Sequence, residues 1–486
     1  MHMTHTYSAY IDPDVLAHHI RAIGPWSAHT QLPDPIDYRD HVETASDLAR
    51  VWVRDEPPDS IEMFPYPKAS GSLRQLAIVS PRDHARLRAT SASVAEIAQR
   101  RLHEHCYSGK LATPPPNWNF KSNLYFKFVR AAIKGIKNWD CTGMVRTDVQ
   151  GYFPSISIET LLRALWDSGC DKDSVLDIIQ TLLTWQDTCK ELRGLPIGPE
   201  ACALLGTFFL DPVDVALGAH ARAHYRYMDD IAYLYGPNLA NDRGYGVVDQ
   251  ALATVGLTRS ADKTKHAQTP AEAIDLMQRR DLAYVEAYVQ RIPNVAIGPV
   301  KAFFNEAVMP SSPFDLPGLR KCLSAFLSAM DSHAVYPLLA APMMFDADPK
   351  ACANYLVKFA SNSDVLEGMS SRMKSRLVPP ASRVHMIRIL AAGGSDRSTG
   401  QSLLAMAADS TYKIPERVWA AAAYGNSSAY QLNDLADALE GTPYEVRRAG
   451  ILTVNGRRGR RRHHVARLLA KGSPALELSG DWALTA

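Results

Sequence analysis

Two aspartates stand side by side at Asp229 and Asp230, inside a run from His224 to Tyr235 that is rich in aromatic and β-branched residues. Such a run reads as a β-hairpin, with Tyr227-Met228-Asp229-Asp230 at its tight turn and Tyr225 and Tyr233 on either side. Neighbouring carboxylates at a hairpin tip repel each other, and the arrangement costs energy unless a cation lies between or beside them. Mg2+ suits that place, because it takes one or two carboxylates and completes its shell with water and phosphate oxygens. A solvated Asp-Asp turn is the plain alternative for four residues taken alone.

A further acid sharpens the reading. Asp148 follows the strand-like run Met144–Thr147 and precedes Val149-Gln150-Gly151-Tyr152-Phe153-Pro154-Ser155-Ile156. Ser157 then caps an expected helix through Leu161, Leu162 and Leu165, with Glu159 favouring the helix dipole in its first turn. One carboxylate at a strand end and two on a later hairpin can hold two Mg2+ ions about 3.5–4 Å apart, the clamp used for in-line phosphoryl transfer.

The surroundings divide into three zones. Residues 1–60 carry a short apolar-periodic stretch (Val15, Ile20, Ile23) and read as helices joined by turns. Residues 61–299 alternate helical patterns with short β-rich runs, among them Leu73–Val79, and predict an α+β domain. From about residue 300 the strand signals fade. Gly318–Met330, Lys350–Ser361, Ser382–Ala392, Gln401–Ala408, Glu416–Tyr424 and Leu432–Leu439 show helical spacing, which predicts an α-helical repeat or bundle over 300–486 without a crisp period.

With 46% apolar residues the chain can bury a large core, which excludes a mainly disordered protein. The 53 Lys and Arg nearly balance the 51 Asp and Glu, so a nucleic-acid signal has to be local. Seven scattered cysteines without a C-x-x-C pair exclude a disulfide scaffold and a local zinc knuckle, and suit a reducing cytoplasm. The first residues lack an apolar signal region, and no apolar run approaches the roughly 20 residues of a membrane span, so no membrane partner is expected.

Taken in order, these segments resemble reverse transcriptases. Asp148-x-x-x-Tyr152-Phe153 is similar to motif A and Tyr227-Met228-Asp229-Asp230 to motif C. Between them, Gly194-Leu195-Pro196-Ile197-Gly198-Pro199 and the apolar helix Ala201–Leu210 are similar to motif B. Leu257 to Thr264 is similar to motif D, with Ser260 where Asn is usual. Leu73-Arg74-Gln75-Leu76-Ala77-Ile78 looks like the fingers strand that carries a triphosphate-binding arginine. Ile197 and Cys202 stand where many members have Gln and Ser, a variant more like the abortive-infection and defence-associated bacterial enzymes, which append an α-helical repeat domain.

That resemblance implies a right-hand polymerase fold, fingers and palm, over residues 61–299 and an RNA-directed DNA polymerase in bacterial antiphage defence. It implies Asp148, Asp229 and Asp230 as catalytic and metal-binding acids for two Mg2+ ions, with the Val149 carbonyl as a further ligand and Mn2+ as a substitute. Arg74 and Lys68 would meet phosphates, and Phe153 would lie under the sugar and select deoxynucleotides. Gly151, Tyr152, Ile197 and Gly198 would line the nucleotide site, with Gly194 and Gly198 letting the backbone approach the template or incoming base. Lys263 is a candidate proton donor to pyrophosphate, against the commoner case of an exposed loop lysine. The implied partners are dNTPs, an RNA or DNA template-primer, an associated non-coding RNA and further copies of the chain. A retron or mobile-element enzyme, and a catalytically silent RNA-binding scaffold with a palm fold, are the alternatives.

Local charge points the same way. Lys127, Arg130, Lys134 and Lys137 recur at helical spacing, interleaved with Trp118, Phe120, Tyr125, Phe126 and Phe128. Basic residues can track phosphates while aromatics stack on bases, though an ordinary amphipathic helix has the same pattern. Residues 441–486 hold nine Lys or Arg against three acids, and Asn455-Gly456 should expose Arg457, Arg458, Arg460, Arg461 and Arg462 as a loop that grips a nucleic-acid backbone, with a solvated basic loop that has no specific partner as the alternative. His103, His105, His463 and His464 show no ligand spacing and read as surface residues.

Overall fold

In the computed structural model the described residues are 11–23, 32, 34, 38–53, 57–68, 71–138, 141–220, 223–236, 241–278, 283–290, 296–311, 314–455 and 461–486. They form two compact units. One comprises residues 1–22, 53–61 and 79–280, and the other 23–52, 62–78 and 281–486. These boundaries differ from the expected 1–60, 61–299 and 300–486.

The strands among the described residues are β1 (Glu62–Pro67), β2 (Leu73–Ile78), β3 (Leu111–Thr113), β4 (Asn119–Phe120), β5 (Gly143–Thr147), β6 (Ala223–Tyr227), β7 (Asp230–Tyr235) and β8 (Lys265–Ala267). The expected strands appear within a residue or two. In the first unit, β6-β7-β5-β8 form a sheet in that order, antiparallel throughout. Met144, Val145, Ile231, Ala232, Tyr233 and Leu234 have no exposed surface, which is why β5 and β7 occupy the middle.

Strand alternation sends Met144, Ala232 and Leu234 to one face, where the helices Leu124–Asn138 and Pro270–Met277 cover them with Phe128, Ala132, Ile136 and Met277. Each such fully buried aliphatic or aromatic side chain contributes about 1.5–3 kcal/mol. Gly135 lets the first helix approach β6, because a Cβ there would lie 2.3 Å from the Tyr225 hydroxyl. The helix Asn241–Ala253 packs on β5 and β7, with Gly244 facing Val145.

The expected motif B helix spans Glu200–Phe209 and continues into Asp211–His220. Together Glu200–Ala219 is long and apolar enough to cross a membrane, contrary to the expectation that no such run exists. Since 78% of its most apolar 18-residue window is buried inside the fold, it serves as a core helix.

Among its described residues the second unit is helical apart from the β1–β2 hairpin. Helices Leu316–Ala329, Pro349–Leu356, Pro380–Gly393, Ile414–Tyr424, Tyr444–Leu452 and Pro474–Thr485 pack successively into one row. Arg397–Ala408, Leu432–Leu439 and Arg461–Ala470 form another, each packed against a member of the first. Proline opens most helices of the first row (Pro317, Pro349, Pro380, Pro415, Pro474), where its missing N–H costs nothing. The segment 34–52 joins this unit through a buried cluster. Arg448 meets Asp40 through Nε at 2.9 Å and Asp34 through Nη1 at 2.8 Å, while its guanidinium lies over the Tyr38 ring. Ser479 donates to Asp40 at 2.8 Å, and Trp482 to Glu43 at 2.8 Å. The β1–β2 hairpin joins through Glu62, which accepts from the Ile414 N–H at 2.8 Å.

Candidate active site

β5 ends at Thr147, and the residues after it are fixed by main-chain bonds to the motif D segment. The Ser260 N–H donates to the Asp148 carbonyl at 2.7 Å and the Gln150 N–H to the Thr258 carbonyl at 2.9 Å. This short ladder uses Asp148 and Gln150 and leaves the Val149 carbonyl out of it. Gly151, at φ 53°, turns the chain into the helix Tyr152–Ser155, and the Ser155 hydroxyl donates back to the Gln150 carbonyl at 3.1 Å.

The β6–β7 hairpin has a two-residue turn, Met228-Asp229, since Tyr227 pairs with Asp230. Met228 sits at φ 55°, a left-handed conformation that costs a non-glycine residue about 1–2 kcal/mol. Arg226 holds it there. Its Nη1 donates to the Met228 carbonyl at 2.9 Å, while Nε donates to Asp214 Oδ1 at 2.8 Å and Nη2 also reaches Asp214. Both side chains are buried. Burial alone would raise the Asp214 carboxyl, but Arg226 outweighs it and brings it down to about 2.

This turn brings the Asp229 carboxyl into hydrogen-bond contact with that of Asp148. Burial first, then the bond to Asp148 and its charge, push Asp229 up to about 8. Two carboxylates in contact require a proton or a cation. Lys263 provides one cation, forming an ion pair with Asp148 although 63% of its side chain is exposed. The loop lysine is thus both exposed and part of the site.

Asp230 differs from the expectation of three converging acids. It opens β7 on the same face as Ala232 and Leu234, and the partner on that face is Arg146 of β5. Arg146 binds it through Nη2 at 2.7 Å and Nε at 3.2 Å, and also donates to the Leu276 carbonyl and, at 3.3 Å, to the Tyr125 hydroxyl. Among the described residues no group of three or more His, Cys, Asp or Glu side chains is arranged to hold one metal ion. The acids that fit a divalent cation are Asp148 and Asp229, because their enforced contact is relieved by positive charge.

Phe153 is half-buried with its ring 4.9 Å from that of Tyr152, and its carbonyl accepts from the Leu195 N–H at 2.9 Å. Tyr152 is buried against Gly206, where a Cβ would lie 2.9 Å from its hydroxyl. Gly194 serves a different purpose from the expected approach to a base. At φ 58° it lies against the short helix after Asp148, and a Cβ would be 2.4 Å from the Phe153 carbonyl. Ile197 and Gly198 are partly buried, Gly198 at φ 148°. Lys68 and Arg74 lie on the β1–β2 hairpin of the second unit, Arg74 exposed opposite Tyr66.

Lys127, Arg130, Lys134 and Lys137 all lie exposed on the helix Leu124–Asn138. Its aromatics divide. Trp118 and Phe128 are core residues, whereas Tyr125 and Phe126 remain 41% and 59% exposed, and Tyr125 packs edge-on 5.4 Å from Tyr227. Arg461 and Arg462 begin a helix rather than lying in a loop, and Arg457, Arg458 and Arg460 fall outside the described residues. His103 and His105 are partly buried rather than on the surface, with His103 4.5 Å from the His224 ring, while His463 and His464 are exposed.

Arg146, Arg226 and Asp214 were not singled out by the sequence. A charged residue at an inward position of a strand, as in Arg226 between Tyr225 and Tyr227, was the available signal. Residues 66–280 match the family model described as reverse transcriptase (RNA-dependent DNA polymerase). No curated protein matches the sequence.

Proposed function

From an RNA-directed DNA polymerase, a nucleotidyltransferase by its domain at residues 66–280, we propose an enzyme that extends a primer with deoxynucleotides at Asp148 and Asp229. The carboxyl contact between these two acids carries the reading. Mg2+ held there would lower the pKa of the primer hydroxyl and neutralise charge on the departing pyrophosphate. Asp148 is set by its backbone ladder to Ser260, and Asp229 by the turn that Arg226 holds. Lys263, already on Asp148, is placed to exchange that carboxylate for a phosphate oxygen and to pass it a proton. Lys127, Arg130 and Phe126 offer phosphate and base contacts beside the hairpin. Mg2+-dependent incorporation of dNTPs on an RNA template with a DNA primer tests the proposal; a purified protein inert with both Mg2+ and Mn2+ would sink it.

Sugar choice gives a finer test. Phe153→Val should open space below the sugar and raise ribonucleotide use relative to deoxynucleotide use by about 10- to 100-fold in kcat/KM, or roughly 1.4–2.8 kcal/mol. An unchanged ratio would assign the discrimination to another residue.

We also propose a role in bacterial antiphage defence. The Gly194-Leu195-Pro196-Ile197-Gly198-Pro199 variant and the two rows of helices from residue 316, read as helical repeats, support it. Loss of phage protection in cells expressing an Asp229→Asn chain, with protection by the unaltered one, is the expected result.

A further inference from the structure

The first row of helices in the second unit carries two adjoining clefts on one side. One, of about 370 Å3, is lined by Arg320, Lys350 and Asn354. The next, of about 460 Å3, is lined by Arg388, Asn426 and Asn455, with Trp419 in its wall. They meet where Arg388 Nη1 donates to Asn354 Oδ1 at 2.7 Å. Among the described residues the cations outnumber the acids, since Asp348, ion-paired with Arg320, is the one acid lining either cleft.

We propose that these clefts form one groove that binds a single strand of nucleic acid. Cations recurring from helix to helix match phosphates recurring along a strand. The amides of Asn354, Asn426 and Asn455 can donate to and accept from base edges without choosing one base. Two small clefts in series admit an extended chain of small units, whereas a folded protein surface would need a broader face. Lys350 also shows the crowding of charge. Burial first and then Arg388 lower its pKa, with Asp348 opposing and Arg320 adding to the effect. An anion in the groove would relieve that repulsion. The inference needs the polymerase reading only to say where the strand comes from.

Binding can be measured apart from synthesis. The full chain carrying Asp229→Asn is titrated into labelled single-stranded DNA and RNA oligonucleotides over a range of salt. Adding Lys350→Gln and Arg388→Gln should weaken binding of at least one of them about tenfold and flatten its log-affinity against log-salt slope by about 1.4. Asn354→Asp, at an exposed position that keeps its acceptor for Arg388, should weaken it without disturbing the fold even if the double variant misfolds. Slopes and affinities unchanged for both nucleic acids in a folded variant would overturn the proposal and leave the groove to an acidic peptide.

Discussion

Asp229→Asn is expected to reduce nucleotide incorporation by a factor on the order of 10³ or more while leaving the protein folded. The loss follows from the pair it breaks: an amide beside Asp148 no longer offers a divalent cation two carboxylates, and several kcal/mol of charge stabilisation go with it. The fold should respond in the opposite direction. Asp229 is raised from 3.8 to about 8, so the folded chain keeps a proton that the unfolded chain releases. Its contribution is fully present below the unfolded value and is lost as pH rises through the folded one. In a chelator, wild-type protein should therefore lose melting temperature between about pH 4 and pH 8, in excess of Asp229→Asn, and Mg2+ should restore it. Normal polymerisation by the variant would remove Asp229 from the chemistry. Parallel pH curves for the two proteins would remove the carboxyl contact.

Much of the site was legible because its signals are local. A strand followed by Asp148, a capped helix after Ser157 and aromatic residues around a tight turn each follow from a few neighbouring side chains. The pairing of Asp230 with Arg146 was not read, although strand alternation holds it: Arg146 stands opposite Ala232, and Asp230, two residues before Ala232, lies on the same face. β1 escaped because Pro65 and Pro67 argue against a strand, and they are tolerated in a hairpin whose neighbour on one side only is β2. The compact units could not be found by scanning along the chain. Arg448 is 408 residues from Asp40 and 414 from Asp34, and nothing local marks a buried charge that has partners so distant. The helical rows had no readable period because their helices vary in length, yet the recurring proline at helix starts was present along most of the first row.

Removing the Arg226 guanidinium should affect catalysis and stability by separate routes. Arg226→Met strands the buried Asp214 carboxylate, a change that costs about 3–5 kcal/mol. Asp214→Leu combined with Arg226→Met removes both charges, and apolar replacement of a buried pair is commonly neutral or stabilising. The double variant should thus melt close to wild type. Its turn, however, still lacks the donor that holds the Met228 carbonyl, and Met228 still has the left-handed conformation to maintain. Asp229 would then sample positions away from Asp148, and misplacement of a reacting group by about 1 Å can cost on the order of 100-fold. The expected result is a fall in kcat of about 10- to 100-fold with little change in KM for the nucleotide. Arg226→Lys should fall between the two, because one ammonium cannot satisfy Asp214 and the carbonyl together in the geometry of a planar fork. A stable double variant with wild-type kcat would show that the turn keeps its shape unaided and would reduce Arg226 to a partner for Asp214.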